Sequence, residues 1–188
     1  MKYRRTALAG MAVVGVFALT GCIAGAAKGV TIAEEDRTMY DHADDFAIKS
    51  EIRNKYLDET MLMDVSTDVY EGRVLLTGAV KKAEEKRKAG EIAQQVKGVR
   101  EVFNDIQVTD EGGVKVFSED MTIVTKLNYK LLAAKGVSSV NFRLRTVNGV
   151  VYLLGIAKSQ GELDEILRIV RETDGVRQVI SHMQIKPA

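Results

Sequence analysis

The chain predicts an α+β fold made of two tandem αββαβ modules, each a three-stranded mixed sheet with two helices on one face. Three observations carry this. "VYEGRVLLTGAV" at 69–80 recurs as "TVNGVVYLLGIA" at 146–157, a constant shift of 77 residues that lays Gly72 on Gly149 and Gly78 on Gly155. At the same shift "KGVREVFNDIQV" lies on "DGVRQVISHMQI", pairing Gly98 with Gly175, Arg100 with Arg177 and Gln107 with Gln184. Upstream, Ile48, Ile52 and Leu57 fall on Ile123, Leu127 and Leu132 at a shift of 75, so a two-residue indel lies in the loop before the first strand, where indels are best tolerated.

Residues 1–21 read as a cleaved export signal. Lys2, Arg4 and Arg5 give a basic start, and Ala7 to Leu19 is an apolar and small-residue run too short to span a bilayer, which takes about 20 apolar residues. Leu19-Thr20-Gly21-Cys22 resembles the lipobox of bacterial lipoproteins, in which the cysteine sulfur takes up a diacylglycerol. Cys22 is the one cysteine of the chain, so a disulfide framework is excluded and lipidation accounts for the thiol. Two or three acyl chains, at about 0.8 kcal/mol per buried methylene, hold a protein on a membrane almost permanently. Ile23, in place of the aspartate that marks inner-membrane retention in enteric lipoproteins, favours the outer membrane. Residues 22–43, rich in Ala and Gly and then acidic, read as a lipidated N-terminus and tether.

The first module is expected over 44–109 and the second over 118–187. In the first, Ile48, Ile52, Tyr56 and Leu57 keep helical spacing, and Leu62 to Val69 and Arg73 to Val80 are strand-like runs around a turn at Glu71-Gly72. The second has its turn at Asn148-Gly149, a strong hairpin signal because both central residues of a type I′ turn need positive φ. "KKAEEKRKAGE" from Lys81 mixes both signs at helical spacing and reads as a solvated helix face. Ser159-Gln160-Gly161-Glu162 has the form of a capping box before a helix whose Leu163, Ile166, Leu167 and Val170 share one face. Gly98 and Gly175 are placed to close these second helices in the left-handed conformation. Gly78 and Gly155 stand inside strands, where glycine marks a bulge or the close approach of another backbone. With Gly72 and Gly149 they are the glycines expected to be structural. A module of this size buries only about 60% of the surface its unfolded chain exposes, so the two are expected to dock.

Together the αββαβ repeats, the strand glycines and the "GV-R-V-N-I" third strand resemble the BON domain (bacterial OsmY and nodulation). With the lipobox, the whole resembles dual-BON outer-membrane lipoproteins. "SEDMTIVTKLNYKLL" followed by "NGVVYLLGIA" is the most specific part. The resemblance implies a non-enzymatic lipoprotein on the periplasmic face of the outer membrane. It further implies a role in envelope integrity and contact with anionic phospholipid through the second repeat, near the start of its first helix, where Met121-Thr122 stands.

Composition is that of a globular chain, 28% charged and 46% hydrophobic, and a formal net charge of +1 gives no reason to expect nucleic acid as a partner. We find no arrangement of nucleophile, acid–base pair, phosphate loop or metal-ligand spacing, so neither an enzyme nor a cofactor or metal site is expected. His182, which corresponds to Asp105 by the repeat, is expected to be a solvated surface residue.

The two repeats differ in charge. Residues 44–109 hold 11 basic and 13 acidic residues, and residues 118–187 hold 10 and 7. Along the first helix Lys49 becomes Val124 and Asn54 becomes Tyr129. In the first strand Ser66 and Asp68 become Arg143 and Arg145, which share a face. Ile123, Leu127, Leu131 and Leu132 are assigned to the core. The lipid-binding surface is therefore expected at Met121, Val124, Lys126, Tyr129, Lys130, Lys135, Arg143 and Arg145. The alternative is that the same basic, mildly apolar surface docks on an envelope assembly or peptidoglycan-processing protein.

Overall fold

The computed structural model describes residues 39–57, 64–110 and 114–187. The expected signal peptide, Cys22 and most of the expected tether lie outside the described residues. The described residues all belong to one compact unit, bounded at 33 and 188.

Repeat 1 runs α1 (Met39–Leu57), β1 (Val65–Tyr70), β2 (Arg73–Val80), α2 (Ala83–Gln94), β3 (Glu101–Asn104) and β4 (Gln107–Val108). Repeat 2 runs α3 (Val114–Ala133), β5 (Phe142–Val147), β6 (Val150–Ala157), α4 (Gln160–Arg171) and β7 (Gln178–Ile185). Each is helix, strand, strand, helix, strand, as the repeat predicts. Helix α1 begins inside the segment expected to be tether, and β1 begins three residues later than the apolar run from Leu62. In both sheets the second strand is central, antiparallel to the first and parallel to the third. The third strand of repeat 1 is in two pieces, β3 and β4, both parallel to β2, whereas β7 is continuous.

Both hairpins turn through two positive-φ residues, Glu71-Gly72 and Asn148-Gly149, the geometry of a type I′ turn. Each turn is held from the first helix of its own repeat. The Asp45 carboxylate accepts the amides of Glu71 and Gly72, both at 2.9 Å. Asp120 accepts those of Asn148 and Gly149, both at 2.7 Å. The strand glycines are close-approach sites. A Cβ on Gly78 (φ +126°) would stand 2.1 Å from the Asp64 carbonyl oxygen, and one on Gly155 (φ +151°) 2.3 Å from that of Asn141. The capping box before α4 forms only in part. Ser159 Oγ accepts the Glu162 amide, but the Glu162 carboxylate accepts the amides of Lys158 and Ser138, so it ties the start of α4 to the loop after α3.

Strand alternation divides the apolar residues into three cores. Val74 and Leu76 of β2 pack with Ile48, Ile52 and Tyr56 of α1 and with Ala89 and Ala93 of α2. Val151 and Leu153 of β6 pack with Ile123, Leu127 and Leu131 of α3 and with Ile166 and Val170 of α4. The residues between them face the other way. Tyr70 and Leu75 of repeat 1 meet Tyr152, Leu154 and Ile156 of repeat 2, with Phe103, Val147, Val150 and Ile180 at their edges. The two modules dock sheet to sheet, giving four layers in the order helices, sheet, sheet, helices, with α1 and α3 on opposite outer faces.

Two expectations are corrected here. Leu132 is not core: the α3 stripe continues from Leu127 to Leu131, and Leu132 is 79% exposed, like its counterpart Leu57 at 62%. His182 is not a solvated surface residue. It lies between the sheets, its ring stacked on Phe103 with centroids 3.9 Å apart and its Nε2 2.6 Å from the Asp105 carboxylate.

Candidate functional site

Helix α3 uses one side for the core and carries further apolar residues that the other described residues leave exposed. At about 100° per residue, Phe117, Met121, Val124 and Leu132 fall within an arc of about 80° that adjoins the core stripe of Ile123, Leu127 and Leu131, with Val124 about 20° from Leu131. Phe117 is 68% exposed, Met121 49% and Leu132 79%, while Val124 is half-buried between them. Tyr129, 76% exposed, borders this arc. Single exposed apolar residues are ordinary, but three exposed and one half-buried on one helical face, with Asn128 among them, form a patch.

The lysines sit on the opposite flank, over the end of α4. Lys126 Nζ is 3.7 Å from the Asp174 carboxylate. Lys130 Nζ donates to Thr173 Oγ1 at 3.1 Å and to the Glu172 carbonyl at 3.5 Å. Both remain on the solvent side of the helix, and Lys135 is exposed in the turn that follows it. The result is an apolar ridge with Tyr129 between it and a basic flank.

The arginines are elsewhere. Arg143 and Arg145 do share a strand face, but it is the face of β5 that meets repeat 1. Arg145 makes two hydrogen bonds to Asp68, that from Nη2 at 3.0 Å. Arg143 donates to the carbonyls of Val140 and Phe142 and lies 6.0 Å from the Tyr70 ring centroid. Of the expected site residues, the structure brings together Met121, Val124, Lys126, Tyr129 and Lys130 on α3 with Lys135 beside them, and it separates Arg143 and Arg145 from that surface. It adds Phe117 and Leu132. For Phe117 the signal is the i, i+4 spacing to Met121, one residue ahead of the repeat boundary, and for Leu132 the apolar pair it forms with Leu131.

Helix α1 lacks this ridge. Phe46 and Leu57 stand exposed where repeat 2 has Met121 and Leu132, but Lys49, Asn54 and His42 replace Val124, Tyr129 and Phe117. Among the described residues no group of three or more His, Cys, Asp or Glu is placed to hold a metal ion, and no helix is long and apolar enough to cross a membrane.

An internally duplicated αββαβ protein, with its repeats joined through their sheets and helices outward, is the class that this geometry defines. Comparison with known proteins agrees: a BON domain profile matches residues 44–110 and again 119–187, and the chain belongs to the BON-domain family. It is 40% identical over 144 residues to an uncharacterized protein in the gshII 5′ region of Anaplasma centrale, covering 76% of this chain and 95% of that one. It is 28% identical over 169 residues to the outer membrane lipoprotein DolP of Haemophilus influenzae, covering 86% and 87%. Its identity to the osmotically-inducible protein Y of Escherichia coli is 31% over 147 residues, covering 76% and 73%.

Proposed function

We propose that this chain is a non-enzymatic lipoprotein, anchored through Cys22 to the periplasmic face of the outer membrane, that binds anionic phospholipid through α3 and supports envelope integrity. The observation that carries the lipid reading is the apolar ridge of Phe117, Met121, Val124 and Leu132, with Tyr129 and then Lys126 and Lys130 further round the same helix. An amphipathic helix at a lipid surface places its apolar face among the acyl chains and its basic flank at the headgroups. Burial of apolar side chains contributes roughly 25 cal/mol per Å², and each basic residue near an anionic surface about 1 kcal/mol. The likeness to an outer membrane lipoprotein and the Leu-Thr-Gly-Cys motif support the anchor and the location. An acyl anchor raises the local concentration of bilayer around α3, so a weak site is sufficient.

Flotation of the 33–188 unit with vesicles of graded anionic content tests this. Wild type is expected to float with anionic vesicles and less so as salt rises. Met121→Asp with Leu132→Asp is expected to abolish flotation, and Lys126→Glu with Lys130→Glu to weaken it severalfold. If folded variants of both kinds float as wild type does, α3 is not the lipid site, and docking on an envelope protein becomes the better account of the ridge.

A further inference from the structure

The sheet-to-sheet contact has a local two-fold character, visible in which residues meet. Arg145 is the counterpart of Asp68 at a shift of 77, and the two bind each other. His182 is the counterpart of Asp105 at the same shift, and these two also bind each other, at 2.6 Å. The strands agree: β1 meets β6 while β2 meets β5, the reciprocal pair under exchange of the repeats. A residue that contacts its own counterpart lies on the two-fold axis relating the halves. In a two-fold interface between identical halves, such positions meet a copy of themselves.

On-axis positions are therefore special. Two copies of repeat 1 in this arrangement would place Asp68 against Asp68 and Asp105 against Asp105, and two copies of repeat 2 would place Arg145 against Arg145. A pair of unlike partners at such a position requires different halves. Arg145 is 44% exposed, but the Asp68 side chain is only 5% exposed and those of Asp105 and His182 are 22% and 19% exposed, so two carboxylates meeting there would have little water to screen them.

We propose that Asp68 with Arg145 and Asp105 with His182 are the determinants of pairing between the repeats: they make the sheet face of repeat 1 select that of repeat 2 and reject a second copy of itself. Attraction within the chosen pair and repulsion within the wrong one together give specificity. The apolar residues between the sheets, including Tyr70, Leu75, Tyr152 and Leu154, supply contact area but distinguish the partners less. The partner fitted by each face is the other repeat of the same chain, which closes the surface within one molecule.

Thermal unfolding of the 33–188 unit tests this with residues exchanged between counterpart positions. His182→Asp and Arg145→Asp each recreate the contact of two repeat 1 faces, and each is expected to lower the midpoint by roughly 4–10 °C. Asp105→His combined with His182→Asp keeps the pair and reverses its direction, and it is expected to unfold several degrees above His182→Asp alone. If Arg145→Asp fails to fold, the cycle of Asp68→Asn, Arg145→Gln and the double variant reads the same coupling, and the losses are then expected to fall short of additive. A reversed pair no more stable than His182→Asp, or single variants that melt as wild type does, would overturn the proposal, as would strictly additive losses in the cycle.

Discussion

Asp68 concentrates the opposing forces of this fold in one carboxylate. Burial pushes its pKa upward, but the hydrogen bonds and charge of Arg145, with Lys49 Nζ at 3.1 Å, outweigh burial and hold it below the usual carboxylate range. A carboxylate with a depressed folded pKa contributes stability that is full above its unfolded value, about 4, and is lost as pH falls through the folded value. Urea unfolding of wild type and Asp68→Asn at a series of pH values should show a gap that is constant near neutrality and closes below about pH 4. A gap that persists unchanged into strong acid would mean that Asp68 is not ionised in its pair. The repeat comparison showed that Asp68 becomes Arg145, but it could not show that the two meet, because an offset in sequence carries no information about which sheet faces touch. His182 was misread for the same reason. Gly78 and Gly155 were legible, since a glycine kept at one strand position in both repeats has few causes besides a backbone that leaves no room for Cβ.

Within α3, neighbouring leucines have opposite fates. Leu131 is 2% exposed and packs between helix and sheet, while Leu132, one residue and about 100° further round, is 79% exposed. Leu131→Ala should therefore cost about 2–5 kcal/mol of unfolding free energy, and Leu132→Ala less than about 0.5. Equal losses would contradict the orientation of the helix. Sequence periodicity located the helix and its core stripe but left Leu131 and Leu132 undivided, because adjacent apolar residues at the edge of a stripe satisfy either rotation. The aspartates that clip the hairpins are a further case in which the sequence carries a signal without its meaning. Asp45 and Asp120 recur at the shift of 75 and precede Phe46 and Met121, so their signal was present. Their role depends on a turn that lies 26 to 29 residues ahead in the chain. The capping box was half right, since Glu162 reaches one amide further back and across to the loop before the 3-10 turn at Ser139–Asn141.

At the scale of the whole molecule, the face-to-face docking of the sheets decides which surfaces remain for function. Both faces of β2 and β6 are buried, so "RVLLTGAV" and "VVYLLGIA" are nearly continuous apolar runs, the pattern of strands covered on both sides. That pattern was open to reading in the sequence, and it is why Arg143 and Arg145 belong to the join between repeats and not to the outer basic surface. What remains outward is α1 and α2 on one side and α3 and α4 on the other, and among these helices only α3 carries the apolar ridge. The chain has no tryptophan, so a single introduced indole reports its own surroundings without background. Leu132→Trp places it on the ridge, and Phe46→Trp places it at the repeat 1 counterpart of Met121. The most direct measurement is the emission of these two variants on addition of anionic vesicles to the 33–188 unit. The account predicts a blue shift for Leu132→Trp that salt diminishes, with no shift for Phe46→Trp; an unchanged spectrum for Leu132→Trp, or equal shifts from both faces, would contradict it.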